Sequence, residues 1–359
     1  MPDLHRPSPF IDLAAVEAWD AWFRWREQAD LRDFSIEDTW RRVATALASA
    51  EPDGESATWR TRFMDALASW RLLPDERLLA NAGTDRAMRR GGVLHASLNA
   101  AGFVSQGSAT DASMDLAALT DCAALAVRAL DNAALLAGTA APHLRIGLVG
   151  VADALALLGL HYDSDPGRAQ AVSMACALAE GCLRGDIMLA MVRGARQVEP
   201  RAANACAVLR GVAPDLLRDR TRHGARHTNL TAITSQPRLA LLANDVADAI
   251  DPLRGERHAH VITASYGQRT ILSSGYASNL LRSREDPALG EPENVATLPC
   301  AAQIAMRVAL QPWIDEPITY PLLATKDLDD SQRLEARKLA EAHGLHPPVW
   351  REPLELLPM

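Results

Sequence analysis

The stretch that decides the fold runs from Arg145 to Ser164 and reads RIGLVGVADALALLGLHYDS. Ile146 to Val151 is a short apolar run with two glycines, which predicts a buried strand or turn where another backbone approaches closely. An Ala/Leu run follows and predicts a helix, with Gly159 just past its last turn. Asp165-Pro166 then supplies an N-cap and a first helical residue, so a second helix should begin there. Strand, helix, turn and helix in so short a span predict a layered α/β core rather than a plain bundle.

Working outward, 359 residues with 48% hydrophobic content allow one large core or two ordinary ones. A net charge of −8 argues against a general nucleic-acid binder, whose footprint is a basic face. The five cysteines form no CxxC pair, and an odd count fits a reducing compartment better than a disulfide framework. The first residues lack an apolar secretion core, and no uncharged apolar run reaches the ~18 residues of a membrane span. The expectation is a soluble cytoplasmic protein with no membrane partner.

Residues 1–73 read as a helical region. A helix is expected over residues 11–30, with Trp19, Trp22 and Trp25 anchoring one face. A second opens at the capping-box-like Ser35-Ile36-Glu37-Asp38. A third runs from Ala57 to Trp70, after a break at Pro52-Asp53-Gly54. Residues 74–359 read as the α/β part. It should hold helices over 116–136, 166–193 with a break near Gly181, 200–210, 300–310 and 330–343. Strands are expected over His260–Ser265 and Thr270–Ser273, with loops at 105–113 and 287–293. A basic patch (Arg86, Arg89, Arg90) precedes Gly91-Gly92.

Three candidate sites stand on residue type and spacing. The cluster from Arg218 to His227, which includes Arg226, is either an anion site or a solvated basic turn. His258-Ala259-His260 has strand spacing that puts both rings on one side, as some metal sites use. No third ligand is identifiable from sequence, and no metal is assigned. Cys300, after Pro299 at a helix start, is either a reactive thiol favoured as thiolate or a buried structural cysteine.

Several motifs resemble the ribonucleotide reductase large chain, in family order. The opening stretch resembles RIGIGVMGLADLLLRLGIPYDS. Leu72-Leu73-Pro74 through Asn81-Ala82-Gly83-Thr84 resembles LPNSPTLMNAGT, Ala126 to Asn132 resembles AVRFLDN, and His223 to Ile233 resembles YGLRNSTLSAL. Ile250-Asp251-Pro252 resembles the IEP turn after the phosphate-loop helix. The resemblance covers most of residues 72–255 and implies a shortened reductase-like α/β barrel behind a helical N-terminal region. It places the phosphate loop at Thr234-Ser235-Gln236-Pro237-Arg238. There Thr234 and Ser235 keep hydroxyls, Pro237 removes a donor, and Arg238 offers an anion contact, with Arg226 nearby.

The departures from the family are as informative. No N-x-C-x-E occurs; Asn99-Ala100-Ala101-Gly102-Phe103 is the nearest remnant and puts Ala101 at the radical cysteine. Gly92 stands near the first redox cysteine, and a large deletion is inferred near residues 85–115. The expected protein is therefore not an active reductase but a nucleotide- or anion-binding protein or an oligomeric interaction module. The alternatives are an enzyme of different chemistry at the remodelled barrel mouth, or an adenosylcobalamin-dependent reductase completed by a partner chain. Adenosylcobalamin enters by resemblance alone. A shortened barrel would expose strand edges, which predicts a homodimer.

Overall fold

A computed structural model describes residues 9–28, 30–86, 93–105, 112–139, 143–196, 211–255, 257–265, 267–283, 293–324 and 328–351. The expected helix over 200–210, Cys206, Arg89 to Gly92, and most of the loops at 105–113 and 287–293 lie outside these residues.

The chain begins with α1 (Leu13–Ala18) and a π-helical turn (Trp19–Phe23), followed by the short strands β1 (Arg26–Glu27) and β2 (Asp30–Leu31). One helix over 11–30 was the expectation. It ends at Phe23 because Asp33 draws the chain away: its carboxylate accepts the Trp25 amide at 3.1 Å and pairs with Arg42 at 2.9 Å. Trp19 is buried and donates to Thr39 at 3.0 Å. The capping box of Ser35 and Asp38 opens α2 (Ile36–Ala48). Helix α3 (Asp53–Ala68) starts earlier than expected, because Pro52 sits as its N-cap rather than breaking the chain.

Strand β3 (Leu72–Pro74), α4 (Glu76–Asn81), β4 (Leu94–Asn99), α5 (Leu116–Leu136) and β5 (His143–Val149) follow. The opening stretch continues into α6 (Val151–Leu157) and then α7 (Asp165–Arg193). The N-cap of α7 is Ser164, whose side chain accepts the Gly167 amide, so Asp165 and Pro166 are the first two helical residues. Next come α8 (Pro214–His223), β6 (Asn229–Thr231), α9 (Pro237–Leu242), β7 (His258–Ala264), β8 (Gly267–Ser273), α10 (Tyr276–Ser283), α11 (Cys300–Leu310), β9 (Leu322–Leu323), α12 (Asp330–Ala342) and β10 (Trp350–Arg351).

The principal sheet has the order β3-β4-β5-β6, with β3 antiparallel and the other pairs parallel. Among the described residues it is open, and no closed barrel forms. Of the expected barrel, the described residues show a four-stranded α/β layer. The far edge of β6 is covered from within: Asp315 accepts the Leu230 and Thr231 amides, each at 2.9 Å, and the Glu316 amide donates to the Thr231 carbonyl. The expectation of a dimer built on a bare edge loses its premise at that edge. The boundary expected at residue 73 falls inside β3, and one hydrophobic core runs from Trp19 in the helical region to Tyr320.

The glycines of the opening stretch act by close approach. A Cβ on Gly147 would lie 2.4 Å from the Ala232 carbonyl oxygen, and Gly150 turns at φ +67° against Asn99. Helix α7 runs unbroken through Gly181, because that glycine seats the helix on α5 rather than ending it; a Cβ there would lie 2.2 Å from the Thr120 carbonyl oxygen.

The α5–α7 contact is also ionic. Arg128 pairs with Glu51 at 2.6 Å, Arg193 reaches Asp131 at 2.6 Å, and Asn132 donates to Glu51 at 2.8 Å. Arg128, Asp131 and Asn132 are the polar residues of the Ala126–Asn132 motif, and all three are buried.

Gly181→Ala should lower unfolding free energy by about 1–3 kcal/mol through overpacking. Gly54→Ala, in a helix with open space around the position, should be neutral or stabilising by up to about 1 kcal/mol. Denaturant titration of the two variants beside the parent checks both.

Candidate functional site

A cleft that gathers several of the chain's buried acids is lined among others by Asp245, Asp248, Asp251, Arg254, His258 and Ser278. It holds about 20 Å³, room for one water or one ion.

Asp153 of α6 lies outside that lining and holds two of the segments that border it. This carboxylate is fully buried and accepts the Ala247 amide at 2.6 Å and the Ala277 amide at 3.0 Å. Burial pushes its carboxyl up to about 6, against the pull of those two amides. It thereby fixes both the turn after α9 and the start of α10. In that turn Asn244 and Asp245 both take left-handed φ values, 66° and 61°, which non-glycine residues hold only when their surroundings insist. The surroundings are specific. Asn244 accepts the Ile11 amide at 2.8 Å and donates to the Pro9 carbonyl at 3.2 Å, while the Asp245 carbonyl accepts the Tyr276 amide at 3.0 Å.

This turn aims the Asp245 side chain at β7. His258 and His260 lie on one side of that strand, their rings 5.0 Å apart. His258 Nε2 is 2.8 Å from Asp245 Oδ2, and His260 Nε2 is 2.8 Å from Oδ1. Burial alone would raise the Asp245 carboxyl, but the two imidazoles hold it well below the usual carboxylate range.

The resemblance-derived loop leads into α9 on the same side. Ser235 Oγ donates to Asp248 at 2.5 Å, and the Gln236 amide donates to its other oxygen at 2.6 Å. Thr234 accepts from the Gln236 side chain at 3.1 Å. The donors expected to face a ligand phosphate thus face a carboxylate of the chain itself. Arg351 of β10 arrives from the end of the chain and pairs with Asp251 at 2.7 Å and Asp248 at 3.4 Å.

The other candidates lie elsewhere. Arg238 points away from Asp248; it pairs with Glu76 at 3.3 Å and stacks on Trp22 at 4.9 Å. Arg226 is buried, its guanidinium held by Asp131 at 2.8 Å and by the carbonyls of Arg193 and Gly194. His227 Nδ1 sits 2.7 Å from Asp186, so this part of the basic cluster belongs to the ionic seam of α5 and α7. Cys300 is half-buried at the start of α11, and burial pushes its thiol up. The effect opposes the thiolate expected at a helix start. No described cysteine lines the cleft. The described residues of the cleft thus offer no thiol for a thiyl radical, and no step is routed through adenosylcobalamin. Four residues that build the site escaped the sequence reading, Asp153, Asp245, Asp248 and Arg351; for the two acids of the turn the signal was slight. Their only signal was the acidic spacing of Asp245, Asp248 and Asp251.

Burial, and next the charge of Asp248, push the Asp251 carboxyl up to about 7. An acid whose value is raised on folding stabilises the folded state at low pH and loses that contribution as pH rises from about 4 through 7. Asp251→Asn removes this dependence. The stability difference between variant and parent should move in the variant's favour by up to about 1.4 kcal/mol per pH unit across that window. Thermal melts at pH 4.5, 6 and 7.5 measure it; parallel pH profiles would contradict it.

Residues 24–87, from the end of the π-helical turn past α4, match the family model described as ribonucleotide reductase, all-alpha domain. No curated protein matches the chain. Among the described residues no helix is long and apolar enough to cross a membrane. The match supports a relation between the helical N-terminal part of this chain and the ribonucleotide reductase large chain.

Proposed function

We propose that this chain is a shortened, diverged relative of the reductase large chain that does not reduce ribonucleotides and serves as a self-associating module. The N-terminal family match and the ordered motifs through Pro252 support the relationship. The observation that carries the functional reading is Asp248, seated on Ser235 and Gln236. A tethered carboxylate competes at high effective concentration with any free anion, and Asp245 and Asp251 add like charge around it. The cleft also lacks a described thiol for hydrogen abstraction.

Self-association is supported by the outer face of α7. Met188, Met191 and Val192 stand at i, i+3 and i+4, and are 48%, 59% and 65% exposed. Such a stripe is the form in which a helix meets a partner helix. A second copy of the chain is the occupant proposed.

Thermal-shift titration of the parent with ATP, dATP and inorganic phosphate should give no shift. A shift abolished by Ser235→Ala would overturn the closed-loop reading and restore nucleotide binding at the loop. In sedimentation equilibrium at micromolar concentration the parent should run as a dimer. Met188→Asp/Met191→Asp should run as a monomer with unchanged far-ultraviolet circular dichroism. A monomeric parent would sink the assembly reading.

A further inference from the structure

We infer that Asp245, His258 and His260 form a binding site for a divalent transition-metal ion, with zinc as the reference ion. The inference is independent of the self-association reading.

Each of the three residues offers one ligand atom, and the three atoms lie within 4.8 Å of one another. A tetrahedral zinc site with bonds of about 2.0–2.1 Å spaces its ligand atoms at about 3.3 Å. The observed separations, from 2.8 Å upward, bracket that value.

Hydrogen-bond logic requires something positive at the centre. His258 Nδ1 is 2.9 Å from the Gly255 carbonyl oxygen, which can only accept, so Nδ1 carries a hydrogen. In the neutral ring Nε2 then presents a lone pair. It faces Asp245 Oδ2 at 2.8 Å, another lone-pair atom. Two acceptors do not bond without a proton or a cation between them. His260 supplies the independent observation. It is only 8% exposed, and its Nε2 has no hydrogen-bond partner although Asp245 Oδ1 lies 2.8 Å away. The contact is close but out of line. The His260 nitrogen is thus left without a partner beside a carboxylate that His258 already engages, and all three ligand atoms lie close enough to share one ion.

The supporting shell is that of a ligand set. The Gly255 carbonyl fixes the orientation of the His258 ring, as a backbone carbonyl does behind a ligating imidazole. The alternation of β7 sets both rings on one side. The left-handed turn at Asn244–Asp245 holds the carboxylate opposite them. The adjoining cleft touches Asp245 and His258. Three protein ligands with an open side leave a coordination position for water, the arrangement of reactive rather than purely structural sites. Two imidazoles and a carboxylate suit zinc, cobalt(II) or iron(II) ahead of magnesium or calcium.

The test is a cobalt(II) titration of the full chain, purified with chelator and then dialysed free of it. One equivalent should give visible d–d absorption without a thiolate-to-cobalt charge-transfer band, and zinc should displace it. His260→Gln and Asp245→Asn should each weaken binding at least about tenfold while melting cooperatively. If a variant does not fold, the parent's spectrum still decides, because ligation by Cys300 or another thiol would bring the charge-transfer band. No stoichiometric binding by the parent means that protons fill the gap and overturns the site. Binding undiminished in folded variants, or a thiolate spectrum, overturns it equally.

Discussion

Everything around the cleft depends on the carboxylate of Asp153. A fully buried charge is costly unless it is hydrogen-bonded, and Asp153 meets that condition with two backbone amides far away in sequence, at Ala247 and Ala277. One side chain thus pins the turn that carries Asp245 and the helix start that follows the β7–β8 hairpin. Its own position is set by the strand-to-helix unit in which it lies. Gly147 lets the backbone of Ala232 approach β5, and Gly150 makes the left-handed step into α6. Replacing that carboxylate would leave the Ala247 and Ala277 amides without their side-chain acceptor.

The opening stretch was legible because its signals are local. A short apolar run gives the strand, an Ala/Leu run gives the helix, and the two glycines mark points where another backbone approaches closely. The bounds of α5 and the capping box at Ser35 were legible for the same reason. The first helix was misjudged because Asp33, beyond its end, captures the backbone of Trp25. The barrel came from resemblance, and the described sheet stops at four strands. The chemistry of the site was half legible. Strand spacing exposes the His258–His260 pair, but Asp245 reaches it through two consecutive left-handed non-glycine residues, and no residue pattern marks such a turn. Asp248 was invisible as the occupant of the loop because it follows Ser235 by 13 residues, with a helix between them.

The family motifs take on a second meaning in this light. Asp131 and Asn132 line neither cleft, and Arg128 borders only a second one, beside Trp59 and Arg184. They bind α5 to Glu51 behind α2 and to Arg193 at the end of α7. Breaking such a buried pair leaves an uncompensated charge, which accounts for their value to the fold. A resemblance carried by such residues speaks to how the chain is held together more than to what it does.

Arg351 gives the cleft an order of assembly. Its partners Asp248 and Asp251 precede it by 103 and 100 residues, so in synthesis the two carboxylates leave the ribosome long before the guanidinium that balances them. Until β10 docks beside β9, packing around them would bury two neighbouring negative charges without their counter-ion. The charge balance of the cleft is therefore complete only once β10 has docked beside β9.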